Sequence, residues 1–381
     1  MILQSLFEHN LCIRCTGRVF ANVDTGMTNL DRGRSLLFAY KSLYGNAREV
    51  DKCWLCNNIF DQFDKYYGMV NDRTAEYEYD SFLIGSKFDK DLLISEETLQ
   101  NDYGSKGESI KKEFNREFGK YFALRSGKDH SKDPDIAIHI NTIYDNVELV
   151  IKSLYVYGKY IKKRRDIPQT RWIHGSGESI ESIIGDELIK MTTSENYHLH
   201  GAGREDVDVM MLGNGREFVI EAVNPKIRNI DLDKFKEAVN SSGKDIFISD
   251  LAFCTKSTVK EIKESKYDKV YFAEIESKNS IDEQRFREAA GKLVGIEISQ
   301  RTPIRVIGNR SDIIRKKEIK YINIDSIGYN TAIIKVCAES GTYIKELVNG
   351  DEGRTVPSLS SMYGDKLYIK SLDVININRG D

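Results

Sequence analysis

The sequence predicts an α+β fold in two domains, the first of them led by a small metal-binding module. Three observations predict it. A chain of 381 residues is too long for one ordinary domain and fits two or three. Four of its six cysteines stand as two pairs, Cys12-x-x-Cys15 and Cys53-x-x-Cys56, a spacing that suits metal ligation. Beyond them helical and strand-like periodicities intermingle, without the strict strand–helix–strand order of a doubly wound sheet.

Composition bounds the setting. No segment approaches the roughly 18 consecutive apolar residues of a membrane span, and MILQSLFEHN at the N-terminus lacks the basic and apolar regions of a signal peptide. A soluble cytoplasmic protein is expected, with reduced thiols and no membrane contact. The net charge of −3 argues weakly against nucleic acid, whose partners are usually basic. Local distribution argues the other way. Lys162, Lys163, Arg164 and Arg165 form one basic run, and Arg301, Arg305, Arg310, Arg315, Lys316, Lys317 and Lys320 form a looser one. A solvated surface is the ordinary account of each, but both flank a carboxylate-rich loop and together suggest an RNA groove.

Two residues between cysteines let one knuckle of backbone present both thiolates to one ion, so the pairs predict a tetrahedral zinc site. In a reduced compartment this is favoured over disulfides. A redox pair would not need two copies, and four thiolates complete the shell without His9. Between the pairs, Asn29 is a candidate N-cap, Leu36, Leu37, Tyr40 and Leu43 fall at helical spacing, and Gly45 is a stop. That helix would join the two knuckles. Further on, Phe82, Leu83 and Ile84 suggest a strand, residues 110–122 carry the apolar stripe of a helix, IAIHI alternates as a strand, and VELVIKSLYVYGKYIKK gives one or two more.

From about residue 170, GESIESIIGDELIKMT, KFKEAVN and TKSTVKEIKESK predict helices, while KVYFAEI and TAIIKVCA predict strands. GSGESIESIIG does not match GxGxxG and no P-loop is present, so no nucleotide cofactor is indicated. Cys254 and Cys337 have no partners by spacing and fit as buried small hydrophobes. The chemistry is placed in residues 198–221, HLHGAGREDVDVMMLGNGREFVIE. Gly201, Gly203, Gly213 and Gly215 allow positive φ or close approach, Arg204, Glu205, Asp206 and Asp208 crowd four charges together, and Phe218, Val219 and Ile220 are strand formers. By composition alone this is a β-hairpin whose Asp206 bonds its own backbone.

The string GRED resembles the G-R-x-D loop of pseudouridine synthases. The longer GAGREDVDVMMLGNGREFVIE resembles that loop in the archaeal-type tRNA pseudouridine synthase family, the tenth Pus class. KVYFAEIES resembles the family's second motif, ESGTYIKELVNGDEGRT its third and SLDVINI its last; QRTPIRV and RSDIIRKKEI also look like family stretches. SIKKEFNREFGKYF, PDIAIHI and YGKYIKKRRDIPQTRW look like the stretch joining a THUMP domain to the catalytic domain in this family, DIPQTRW being the most specific string. Taken singly, Tyr271, Lys345 and Leu372 have ordinary accounts as strand, surface and core residues. In this order, over nearly the whole chain, the family resemblance dominates.

The resemblance implies a four-cysteine zinc module over residues 1–60 and a THUMP-like tRNA-binding domain over 61–168. A pseudouridine synthase catalytic domain with a mixed β-sheet and flanking helices follows over 169–381. It implies that Asp206 is the catalytic carboxylate, with Glu205 and Asp208 dispensable for chemistry. Tyr271 would lie under the target base and relay a proton, Lys345 would pair with Asp206, Ile344 and Leu372 would wall the pocket, and Arg204 would contact substrate. The expected partner is tRNA, modified at uridine 54, uridine 55 or both in the TΨC arm, by a monomer that needs structural zinc and no organic cofactor. The alternative is a non-catalytic zinc-containing tRNA-binding protein; other THUMP-bearing enzymes should show a nucleotide-binding glycine loop, which is missing. Two positions depart from the family pattern, which commonly has arginine where Met210 stands and proline where Glu217 stands.

Overall fold

The structure, a computed structural model, describes residues 2–23, 26–46, 50–171, 177–309 and 311–379. Trp172, Arg310 and residues 175–176 of GSGESIESIIG lie outside them. The chain divides into two compact units, Met1–Lys152 and Ser153–Asp381.

The first unit begins with helices α1 (Ile2–Glu8), α2 (Ile13–Val19) and α3 (Asn29–Tyr44). Thr28, not Asn29, caps α3: its hydroxyl accepts from Asp31 N, while Asn29 turns inward as the first helical residue. Gly45 ends the helix at φ 90°, as expected of a stop. Then come α4 (Phe63–Thr74), β1 (Ser81–Lys87), α5 (Lys90–Asp102), α6 (Ile110–Ser126), β2 (Asp129–His130), β3 (Ile136–Asn141) and β4 (Asn146–Ile151). The sheet order is β2-β1-β3-β4, with β1 parallel to β2 and β3, and β4 antiparallel to β3. Phe114, Phe118 and Phe122 recur every four residues on α6, so one face of that helix lies buried on the sheet.

Cys15, Cys53 and Cys56 belong to the same continuous core as Phe82, Phe114 and Ile138. The boundary drawn at residue 60 therefore separates no independent core. Arg18 on α2 is fully buried and bonds Glu96 on α5 at 2.8 Å and Glu113 on α6 at 3.0 Å. A buried cation of this kind is tolerable only because two carboxylates surround it.

In the second unit, β5 (Leu154–Lys162) is followed by α7 (Ile180–Thr192), β6 (Asn196–Gly201), β7 (Met210–Val223), α8 (Leu232–Asn240), β8 (Ile246–Cys254), α9 (Lys256–Glu264), β9 (Asp268–Ser277) and α10 (Glu283–Leu293). After them come β10 (Glu297–Arg301), β11 (Ile314–Ile327), β12 (Thr331–Ala338), α11 (Ile344–Asn349), β13 (Thr355–Val356), α12 (Leu359–Tyr363) and β14 (Leu367–Asn378). Among the described residues the strands join in the order β13-β10-β11-β12-β9-β14-β7-β5-β8, with β6 on β7. The β14–β7 pair is parallel and its neighbours antiparallel, which makes the sheet mixed. No helix among the described residues is long and apolar enough to cross a membrane.

The break between units falls at Lys152/Ser153, ahead of the boundary drawn at 168. The reason is β5, which pairs on both edges, with β7 and with β8, and so lies inside the larger sheet. The glycine loop does join two antiparallel strands as a hairpin should, β6 pairing with β7 from Asn196 opposite Val223 to Gly201 opposite Phe218, but its details differ. A strand, β6, intervenes between α7 and the loop, and β7 already starts at Met210, so Gly213 and Gly215 lie within a strand. Gly213 has φ 61°, and a Cβ there would fall 1.8 Å from Ile375 O; only glycine lets β7 bend so close to β14. Asn214 stitches the bend, donating to Ile377 O at 2.7 Å and accepting from Ile377 N at 3.0 Å.

Candidate active site

The loop between β6 and β7 carries the GRED residues over one face of the sheet, and buried partners hold its shape. The Glu205 side chain is 1% exposed and accepts from Arg216 Nε at 2.8 Å, with Arg216 equally buried. The Tyr160 hydroxyl donates to the same carboxylate at 2.9 Å, and Gln169 Nε2 donates to the Tyr160 oxygen at 2.9 Å and to Gly203 O at 3.0 Å. Glu205 is therefore the anchor of the loop. Because Glu205 turns inward, its neighbour Asp206 faces the other way, into an open pocket.

The first basic run is part of the same brace. β5 alternates inward and outward, which buries Tyr160 and Lys162. Lys162 Nζ donates to Ile167 O at 2.9 Å, Val207 O at 3.0 Å and Asp206 O at 3.3 Å, and burial pushes its pKa down. Arg165 donates to Asp208 O at 2.6 Å and Leu372 O at 3.2 Å, and pairs with Asp373 at 2.8 Å. Neither is the solvated surface charge that a run of four cations suggests. Arg164 remains partly exposed, 3.5 Å from Glu178.

Asp206 is bound by two cations. Arg305 Nη1 stands 3.0 Å from Oδ1 and 2.9 Å from Oδ2, and Lys345 Nζ stands 3.3 Å from Oδ2. Burial pushes the Asp206 carboxyl up, but Arg305 first and Lys345 second outweigh it, and the pKa lies below the ordinary value. Lys345 is closer to Asp208, 2.8 Å from its Oδ2, so the expected pair with Asp206 exists but is shared. Arg305 is fixed in turn by Glu346, whose Oε1 accepts from Nε at 2.7 Å; Glu346 is 4% exposed and its Oε2 has no partner among the described residues.

The pocket beside Asp206 is lined by Tyr271 and Lys269 from β9, Leu372 and Val374 from β14, and Ile344 from α11. Tyr271 pairs in register with Val374, and Leu372 with Ala273, so the tyrosine ring and the aliphatic wall come from adjacent strands. Burial pushes the Tyr271 phenol up to about 12, with Arg216 opposing and Asp206 adding. The phenol therefore keeps its proton at neutral pH. Arg204 lies exposed at the pocket rim.

In the first unit, the sulfur atoms of Cys12, Cys15, Cys53 and Cys56 lie within 4.8 Å of one another. Cys12 caps α2, which turns Cys15 back toward it, and Arg18 Nη2 donates to Cys15 Sγ at 3.3 Å. A four-thiolate cluster with a buried guanidinium beside it could hold a metal ion and offset part of its ligands' charge.

The family model described as Pus10, C-terminal matches residues 155–378, and that of the archaeal Pus10 THUMP domain matches residues 66–141. A protein of Picrophilus torridus named tRNA pseudouridine synthase Pus10 is 56% identical over 381 residues, covering 100% of both chains. The chain belongs to the Pus10 family. Its relatives of the same name include one from Thermoplasma acidophilum, 49% identical over 100% of this chain and 99% of its own, and one from Pyrococcus furiosus, 36% identical over 98% and 96%. Among solved structures, a chain of a Cbf5-Nop10-Gar1 complex aligns over 59% of this chain and 60% of its own, at 15% identity and a TM-score of 0.33, too low to add to the argument.

The first unit of this Pus10 protein thus contains the THUMP domain, and the second is the Pus10 C-terminal domain. The structure brings Asp206, Tyr271, Ile344, Lys345, Leu372 and Arg204 to one pocket. Sequence reasoning misses Glu346, Arg216 and Lys269, and it finds Arg305 only as one cation of a basic run, not as the partner of Asp206. Arg305 stood within QRTPIRV, a stretch already resembling the family, but nothing local tied it to a carboxylate 99 residues away. Of the two departures, Glu217 accepts from Tyr157 at 2.8 Å and pairs with Arg379 at 3.3 Å, while Met210 N donates to Asp373 at 3.1 Å.

Proposed function

We propose that this Pus10 protein isomerises uridine to pseudouridine in the TΨC arm of tRNA, at position 54, position 55 or both. The reaction breaks the N1–C1′ bond, turns the base and joins C5 to C1′; a proton leaves C5 and one is gained at N1. It consumes no organic cofactor and asks for one ionised carboxylate at the ribose, as nucleophile or as stabiliser of developing charge. Asp206 suits that role because Arg305 and Lys345 keep it ionised. The target must leave its stack to reach it, and Tyr271, Ile344 and Leu372 offer a flipped base a ring and an aliphatic wall. A phenol that keeps its proton suits Tyr271 to donate or pass on a proton rather than to accept one first. Arg204 at the rim is placed to touch the strand that enters.

The observation that carries this reading is Asp206, held by two cations at the mouth of a pocket walled by Tyr271 and aliphatic side chains. Cys12, Cys15, Cys53 and Cys56 would hold one zinc ion. Bonds of about 2.3 Å to a tetrahedral zinc space the sulfurs by about 3.8 Å, and Cys12 and Cys56 stand 3.7 Å apart. A closed shell of four thiolates supplies structure, not catalysis. The zinc-bearing THUMP unit would hold tRNA by shape and backbone contacts, and the protein would act as a cytoplasmic monomer. The test is an unmodified tRNA transcript, incubated with purified protein and mapped for pseudouridine. Conversion at 54 or 55 is expected; a folded protein that binds the transcript and converts neither would be a tRNA-binding protein only.

A further inference from the structure

Lys269 stands two residues before Tyr271 on β9, so both side chains leave the same face of the strand, and both line the Asp206 pocket. The other cations there are accounted for. Arg216 has Glu205, Arg305 has Asp206 and Glu346, Lys345 has Asp206 and Asp208, and Arg204 is exposed to water. Lys269 is half-buried, and among the described residues its Nζ has neither an ion pair nor a hydrogen bond. Its neighbours make this costlier. A Cβ at Gly203 would meet Arg216 Nη1 at 3.1 Å and Lys269 Nζ at 3.3 Å, so both cationic heads press beneath the same turn. Lys317, from β11, reaches the Gly341 edge of the pocket with its Nζ on Ser340 O at 2.6 Å. Arg216, Lys317 and Glu205 are the charges that face the amine, and Glu205, the one anion, is already engaged by Arg216.

A half-buried ammonium pressed against other cations, with no counter-charge of its own, is disfavoured, and here burial first and Arg216 second push the amine down to about 8. The surplus positive charge calls for an anion that the protein itself does not supply. We propose that Lys269, beside Arg216, binds a backbone phosphate of the RNA strand next to the target nucleotide. This rests on the proposed function, which brings RNA to the pocket. The phosphate would supply the missing counter-charge, and the amine would bind it only when protonated.

The test compares wild type with Lys269→Met and Lys269→Arg, using an unmodified tRNA transcript, affinity by fluorescence anisotropy and melting as a control. Wild-type affinity should fall about tenfold between pH 7 and pH 9 as an amine titrating near 8 loses its proton. Lys269→Met should bind weakly without that fall, with a salt slope shallower by about 0.7–0.9, the equivalent of one phosphate contact. Lys269→Arg, which does not titrate, should bind well at both pH values. Removing an unpaired, half-buried charge should leave melting unchanged or raised, so folding does not confuse the result. Replacing a single phosphate flanking the target uridine by methylphosphonate should weaken wild type and spare Lys269→Met. A wild-type affinity flat from pH 7 to 9, or an unchanged salt slope in Lys269→Met, overturns the proposal. So does a rate at saturating RNA that rises through pH 8 in wild type only, which would make the amine a proton acceptor. Conversion of uridine by wild type is scored separately: binding that behaves as expected without pseudouridine would overturn the proposed function and leave the phosphate site standing.

Discussion

Replacing Arg305 by methionine removes the guanidinium from both of its carboxylates at once. Glu346, 4% exposed and with Oε2 unpartnered among the described residues, then keeps a buried charge with no counter-charge there. Breaking a buried pair from one side costs about 3–5 kcal/mol. Arg305 is itself 37% exposed, so water reaches the vacated space and the low end, about 3 kcal/mol, is expected. At about 2–4 °C per kcal/mol for a domain of this size, the second unit should melt about 6–12 °C lower. Asp206 responds differently. Its folded pKa is depressed, so its stabilising contribution is complete above the ordinary carboxylate value, about 3.9, and is lost as pH falls through the lower folded value. With Arg305 gone, burial is opposed by Lys345 alone and the pKa rises. The acid limb of the single-turnover rate should then move to higher pH. Adding Glu346→Gln to Arg305→Met should restore much of the melting temperature and none of the acid limb, because only the first effect belongs to Glu346. A single variant that melts within a degree of wild type, or an acid limb that stays put, would mean that Arg305 does not hold these two carboxylates in solution.

Glu205→Gln should lower stability by about 3–5 kcal/mol, read by denaturant unfolding, because Arg216 stays buried without a counter-charge; single-turnover conversion in the folded fraction should persist. Arg165→Ala should slow conversion through the loosened Asp208 and Leu372 carbonyls while leaving the salt slope of tRNA binding unchanged, which binding isotherms at several ionic strengths will show. Metal analysis should find one zinc per chain, and Cys53→Ser should lose it. Because three of the cysteines share the core of the first unit, that whole unit should melt earlier, with the second unit's transition unmoved.

Much of this molecule can be read along the chain because its signals are local. The paired cysteines need only short spacing, the stripe of Phe114, Phe118 and Phe122 is one helix period, and the glycine-flanked GRED loop is contiguous. What could not be read depends on strand pairing and on which side chains are buried, not on local spacing. Four cations in a row look solvated, yet β5 lies between β7 and β8, so its alternation turns Lys162 inward onto the loop backbone. Glu205 and Asp206 look alike as neighbours; only the buried Arg216, eleven residues on, makes one an anchor and leaves the other free to face the pocket. The break at Lys152/Ser153 is hidden for the same reason, since nothing within residues 154–162 says which sheet they join.

In the proposed reaction, the Asp206 carboxylate is the one group that cannot be dispensed with. Asp206→Asn keeps the shape and hydrogen-bonding reach of the side chain and removes its charge and its nucleophilic oxygen. Loss of acid–base work alone costs about two to four orders of magnitude in rate, and loss of the covalent or electrostatic role adds to it. In a single-turnover assay on unmodified tRNA transcript, the variant should bind tRNA, retain its metal and melt close to wild type, yet form no measurable pseudouridine. Conversion at near wild-type rate by Asp206→Asn would contradict the account at its centre.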